Sequence, residues 1–367
     1  MEINIENNHK INEDISAKVQ FIIENQNPFK NFKLENYKYA QLHKKIAPKN
    51  PVSDFKYHKD INDLSLDLST QSLKSVNLRS ALDNWNFYST DSYFRVESLI
   101  KRPGALIPLD DYEQSIFSLD ISKMNENVMI TKNKEKHQTI ILLNTNVEDE
   151  LPKSIFIDLS DNANLDVIQY NISNHKSFLY FESKQGDDSK LNFITFQSNN
   201  VHTRNEYFAS LGSQCHFELS GLNFDNIGVN DNYSFIQHLK PSSSSREVFK
   251  SIVDKGAITN FQGKIYVDAI AQKTDGYQMS RSLLLDDISK ANNKPELEIY
   301  ADDVKCSHGS TVSQIDKNQI YYFNSRGINK KEAKRILQKA FLSETLENIS
   351  SEDLKDFSLK LLDNLIN

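Results

Sequence analysis

Cys306 and His308, two residues apart in Lys294–Gly309, are the side chains in this sequence best suited to chemistry. The stretch reads as a strand whose period of two sets Cys306 and His308 on one face and Lys305 and Ser307 on the other. A thiolate beside an imidazole is half of a soft-metal site, or a nucleophile with its base. The same spacing also suits a half-buried cysteine followed by a surface-turn histidine. A tetrahedral zinc or iron–sulfur site takes about four ligands, and a Cys-x-His pair supplies fewer. Asp302 joins their face if the strand stays regular, where it could donate oxygen or orient the histidine, while Asp303 falls opposite. His202, His216 and His238 are further ligands on paper, although Cys215 and Phe217 share a face opposite His216, the pattern of a core strand. If the pair is functional, its missing ligands come from another subunit. A site assembled at an interface can be opened and closed by moving two chains.

Other chemistry finds no footing. The sequence has no Gly-rich phosphate loop with Lys and Ser/Thr, no G-x-G-x-x-G after a strand, no H-E-x-x-H and no G-x-S-x-G. Gly256 and Gly263 read as turn glycines and Arg326-Gly327 as a bend, so any nucleotide-driven step belongs to another chain. A stand-alone enzyme or carbohydrate binder would need a specific carboxylate arrangement, and none stands out. The 367 residues carry a net charge of -7, which gives no reason to expect nucleic-acid binding. No apolar run approaches the roughly 20 residues that span a bilayer. Met1–Glu6 lacks the basic start and apolar core of a signal peptide, and two cysteines are too few for a disulfide framework. The expected location is the cytoplasm, with free thiols.

The elements that must position the pair are mostly strands. Residues 1–114 read as a mixed, largely helical region, with helical spacing over Phe32–Ile46 and an aromatic stretch over Asp83–Lys101 closed by Arg102-Pro103-Gly104. From 115 short β-branched or alternating runs recur, among them Ile140–Leu143, Ile155–Leu159, Leu165–Tyr170, Phe178–Phe181, Leu191–Phe196, Cys215–Leu219 and Gly263–Val267. No helix of 10–15 residues separates them, which disfavours βαβ units and leaves a sandwich or a solenoid. The length of the series favours the solenoid, whose rungs stack without strict sequence repetition. The last residues, 320–367, turn helical. Asn329 with Glu332 suggests a capping box before a stripe of Ala333, Ile336, Leu337, Ala340 and Phe341. Ser350 with Asp353 suggests a second cap, before Leu354, Phe357, Leu361, Leu362 and Leu365. Two such helices cap a sheet stack or dock a partner.

The Lys294–His308 stretch with Gly309–Val312 behind it resembles the hallmark of the SufB/SufD family of iron–sulfur cluster assembly scaffolds, on its SufD side. The likeness continues through Phe261–Val267, Ala271–Gly276, Gln278–Leu285, Tyr322–Ile328 and Ala340–Glu344, so that it is dense over about residues 256–346. Upstream it thins. Glu35–Leu42 is similar to an E-x-W-K-Y-T-x-L segment with Tyr37 for tryptophan and Ala40 for threonine. His238–Pro241 fits an H-L-x-P step, with Ser243 where a cysteine can stand and Ser251 where glycine is common. The C-E-H-E-A stretch of the SufB side is absent.

The resemblance implies a mainly β fold: a right-handed parallel β-helix core over 115–319 that carries a heterodimer interface, between helical N-terminal and C-terminal regions. It implies SufB as partner through the core and the SufC ATPase, which binds the ATP, as partner through 320–367. A cysteine desulfurase system supplies sulfur indirectly through SufB, and an isolated homodimer is compatible with the pattern. It assigns His308, and Cys306 behind it, to a transient iron–sulfur cluster shared with SufB. A purely structural subunit, or a SufB-like primary scaffold, are the alternatives.

Overall fold

The computed structural model describes residues 58–82, 85, 92–144, 151–173, 176–199 and 202–366. The helix expected over Phe32–Ile46 and the Glu35–Leu42 segment lie outside them. After helix α1 (His58–Leu64) the strands begin with β1 (Leu66–Asp67), β2 (Lys74–Val76), β3 (Gly104–Pro108), β4 (Ile116–Asp120), β5 (Asn127–Lys132) and β6 (Gln138–Asn144). They continue as β7 (Lys153–Leu159), β8 (Asn164–Ser173), β9 (Ser177–Gln185), β10 (Lys190–Asn199), β11 (His202–Leu211) and β12 (His216–Asp225). The last are β13 (Val229–His238), β14 (Ser244–Val253), β15 (Ile258–Val267), β16 (Thr274–Leu284), β17 (Lys290–Ile299) and β18 (Val304–Gln314).

Alternate strands belong to alternate sheets. One nine-stranded sheet runs β1-β4-β6-β8-β10-β12-β14-β16-β18, and the other runs β17-β15-β13-β11-β9-β7-β5-β3-β2. Neighbours pair in parallel, the short β2 against β3 excepted. Each turn of the chain thus lays one strand on each sheet, which is a β-solenoid. The stacked strands start upstream of residue 115, and the series ends at Gln314.

The corners explain how the coils stay in register. Asn162, Asp188, Gln214, Ser242 and Lys273 all have φ between +56° and +65°, a left-handed conformation that costs a non-glycine residue about 1–2 kcal/mol. Each donates its backbone N–H to a carbonyl at the next corner, to Asp187, Ser213, Pro241, Gln272 and Asp303 in turn. That ladder of backbone bonds offsets the strain and fixes the coil spacing. Between the sheets Leu165, Val167, Phe181, Phe193, Tyr207, Phe217 and Leu219 form one continuous core.

The outer faces are covered too, so most central strands are buried on both sides. Over the second sheet lie helices α2 (Leu78–Ala81) and α3 (Tyr93–Lys101), the latter within the aromatic stretch Asp83–Lys101. Leu78, Leu82 and Trp85 pack there on Phe156, Tyr180 and Phe208. Beneath α3, Arg95 Nε donates to buried Glu182 at 2.5 Å, and the Tyr180 hydroxyl donates to the same carboxylate at 2.8 Å.

The C-terminal residues form α4 (Lys317–Ser325), α5 (Lys330–Ser343) and α6 (Glu352–Ile366). Asn329 caps α5 by accepting the Glu332 N–H at 3.0 Å, as the spacing predicts. The Glu332 carboxylate turns to Arg335 at 2.7 Å and leaves the expected box half made. The buried stripe of α5 is Ala333, Gln338 and Leu342, with Ala340 exposed and Ile336, Leu337 and Phe341 half-buried. Ser351, one residue past the expected Ser350, accepts the Leu354 N–H at the start of α6. Leu354, Phe357, Leu361 and Leu362 then bury on Ile168, Tyr170, Ile194 and Phe196 of the first sheet. Every residue of α4 stays at least partly exposed, Tyr321 at 76%.

Candidate functional site

Cys306 and His308 sit on β18, the last strand of its sheet, where the solenoid ends. The expectation of one regular strand through Lys294–His308 does not hold. β17 stops at Ile299, the chain turns a corner through Tyr300–Asp303, and β18 starts at Val304. Asp302 is therefore an exposed corner residue and does not share the strand face of the pair. The placement of Cys306 and His308 on a common face survives, because both fall inside β18.

That face looks into the solenoid. Cys306 packs at the edge of a small cluster of Ile265, Val267, Ala271 and Ala301. It lies directly across from Gly276 of β16, and His308 lies across from Gln278. Cys306 is half-buried, while His308, one step along the last strand, is exposed. Burial pushes the Cys306 thiol up, the Gly276 backbone draws it partly back, and Asp275 raises it further. In the free chain the sulfur is accordingly a protonated thiol near neutral pH, a poor ligand until its surroundings change.

The rows behind the pair change character along the stack. Leu165, Leu191 and Phe217, aligned in successive coils, are followed in the same row by Ser245, Gly276 and Cys306. Val167, Phe193 and Leu219 are followed by Glu247, Gln278 and His308. These two rows thus change, over the last three coils, from apolar to mostly polar side chains and end at Cys306 and His308. Gln278 Nε2 donates to Glu247 Oε2 at 2.6 Å. Burial pushes the Glu247 carboxyl up to about 7, against smaller opposing effects of Ser234 and Gln278.

The other candidates are placed elsewhere. His238 is fully buried between two hydroxyls, Nδ1 at 2.7 Å from Ser243 Oγ and Nε2 at 2.8 Å from Ser245 Oγ, and burial pushes it down to about 3. His202 Nε2 lies 3.1 Å from Asp231 Oδ2. His216 Nδ1 lies 2.9 Å from Ser244 Oγ, and burial lowers its pKa. Cys215 is a core residue whose thiol donates to the Gly186 carbonyl at 2.8 Å, and burial raises its pKa. Among the described residues no three His, Cys, Asp or Glu side chains gather as a metal cage.

Residues 119–341 match the family model described as SUF system FeS cluster assembly, SufBD core domain. The chain belongs to the SufB/SufD family. Both Cys306 and His308 lie inside this SufB/SufD match, as do Glu247 and Gln278. The chain is similar to the iron-sulfur cluster assembly protein SufD of Escherichia coli (strain K12), at 45% identity over 128 residues, 35% of this chain and 30% of that protein. It is similar to an iron-sulfur cluster assembly SufBD family protein of Synechocystis sp., at 40% over 127 residues, 35% of this chain and 28% of that one. A chloroplastic protein of Arabidopsis thaliana, ABCI7, is 40% identical over 117 residues, 32% of this chain and 25% of its own length. The aligned stretch therefore spans under a third of each of these relatives.

Sequence reasoning missed Glu247 and Gln278. Each stands about one coil before the next member of the row, at separations of 31 and 30 residues that end at His308. That spacing carries meaning only once the coil length is known.

Proposed function

We propose that this chain is the SufD-type scaffold subunit of a SufB–SufC–SufD assembly that builds iron–sulfur clusters with the help of ATP. The observation that carries the reading is the position of Cys306 and His308 on the last coil of the solenoid. A partner laid against the ends of β17 and β18 would meet both side chains, together with exposed Tyr300 and Val312. In this reading the partner is SufB, which brings the remaining ligands, and the cluster is cargo held in transit. His308 is the leading ligand because it is exposed, and Cys306 is second because burial keeps its thiol protonated.

SufC binds the ATP and docks on the C-terminal helices. The support for this is α4, which places Tyr321 and Tyr322 in solvent, at 76% and 58% exposure, while α6 is occupied with the first sheet. Closure of two SufC subunits moves the SufB–SufD pair and admits iron and sulfur to the interfacial ligands. Sulfur arrives as persulfide through SufB from a cysteine desulfurase. This chain contributes shape and a ligand, and no covalent step.

Co-expression with a SufB and a SufC, followed by purification without oxygen, tests the reading. The expected result is a complex of all three chains that retains iron and sulfide. Recovery of this chain alone, with SufB and SufC pairing without it, would overturn the proposal.

A further inference from the structure

We infer that Gln278, anchored by Glu247, is a positioning residue for His308. The inference rests on His308 being a ligand, as proposed above. Glu247, Gln278 and His308 occupy one in-register row on three successive strands of the same sheet. In the preceding coils that row buries only hydrocarbon, at Val167, Phe193 and Leu219. Placing a carboxyl and an amide in such an interior costs free energy unless they are paired.

The Gln278 amide is fully buried and its orientation is set. Its nitrogen donates to Glu247 Oε2 at 2.6 Å. On the facing strand stands Gly263, where any Cβ would run into that same amide, so the glycine makes the room Gln278 occupies. With the nitrogen committed to Glu247, the carbonyl Oε1 of Gln278 has no hydrogen-bond partner among the described residues. A buried acceptor left unpaired costs about 1–3 kcal/mol. The next side chain in the row toward the open end is His308. Adjacent strands lie about 4.8 Å apart, so a reorientation of the exposed imidazole brings a ring N–H to Oε1.

The hydrogen bond has a chemical consequence. An imidazole that donates one N–H to a fixed carbonyl presents its other nitrogen, with the lone pair, to a metal. Partners of this kind hold the ligand's tautomer and ring orientation, and their loss typically weakens metal binding about 10–100-fold. Glu247 acts one step further back, by keeping the amide from turning over.

Nitrogen-15 NMR of the full-length chain with labelled histidines, at a pH where His308 is neutral, reads the ratio of its two tautomers. One tautomer should dominate in the unaltered chain, and Gln278→Met should move the ratio severalfold toward the ordinary mixture. In the assembled complex Gln278→Met should lower bound iron about tenfold. An ordinary tautomer mixture in the unaltered chain overturns the inference even if the variant does not fold. Unchanged tautomers in a folded Gln278→Met also overturn it, while a loss of iron in His308→Ala alone would leave the proposed function standing. Full iron in His308→Ala would instead remove His308 as a ligand, and with it the positioning role.

Discussion

Cys306 stands across from Gly276 in the neighbouring coil, and a Cβ on Gly276 would sit 3.2 Å from its sulfur. The absent side chain is what lets the thiol tuck inward, half out of solvent and above its ordinary pKa. A thiol reagent should therefore modify Cys306 in the native chain and reach buried Cys215 only on unfolding. The Cys306 rate should keep rising with pH beyond the point where that of an ordinary exposed thiol levels off, since the reactive species is the thiolate. Gly276→Ala should speed the reaction by displacing the sulfur toward the open end. Equal rates for both cysteines, or a Cys306 rate that levels off at or below the pH of an ordinary exposed thiol, would contradict this placement.

Glu247 and Asp225 carry carboxyls that burial pushes up to about 7. Between the unfolded value near 4 and that pKa, the folded chain holds protons that the unfolded chain has released, so their contribution to stability falls as pH rises. Above about 7 the loss is complete. His238, pushed down to about 3, acts in the opposite direction: the unfolded chain gains its proton below about 6.5, and stability is lost as pH falls. Glu247→Gln removes one of the carboxyl contributions. Relative to the unaltered chain it should gain stability between about pH 5 and pH 8, on the order of 2 kcal/mol, in urea unfolding. A relative loss over that range would show that Glu247 is ionised in the fold.

Phe357 of α6 meets Tyr170 edge to face at 5.4 Å, and the Tyr170 hydroxyl lies 2.8 Å from Ser358 Oγ. Phe357→Ala should destabilise the chain by about 3–4 kcal/mol, and Ser358→Ala by about 1 kcal/mol. Changes at Tyr321 or Tyr322 of α4 should leave thermal stability within about 0.5 kcal/mol of the parent, as exposed positions usually do. That contrast separates a helix that completes the fold from one free to meet a partner.

Arg95→Ala leaves Glu182 buried without its guanidinium and should cost about 3–5 kcal/mol. Replacing both residues by apolar ones of similar size should cost much less, because no charge is then stranded. Chemical denaturation of the single and double variants measures the difference.

The solenoid was legible because each strand carries its own apolar alternation, as Leu191–Phe196 and Leu165–Tyr170 show. Its period was not. The corner residues Asn162, Asp188, Gln214, Ser242 and Lys273 share a backbone conformation and no side-chain type, and the later coils are longer. With the period hidden, nothing in the sequence tied Glu247 and Gln278 to His308. The reading of Asp302 failed for a related reason, since a corner at Tyr300–Asp303 looks in sequence like more strand. On α5 the apolar spacing pointed to Ala333, Ile336, Leu337, Ala340 and Phe341, and of these only Ala333 is fully buried, joined by Gln338 and Leu342. Amphipathic pattern located the helix there, and tertiary packing chose which face it buries.

The direct test of the account is the iron and sulfide content of a SufB–SufC complex with this chain, purified without oxygen, for the unaltered sequence and for His308→Ala. The exposed position of His308 predicts that the variant assembles with unchanged stoichiometry and loses most of its iron and sulfide. A His308→Ala complex with its full complement of both would contradict the assignment of this chain's ligand.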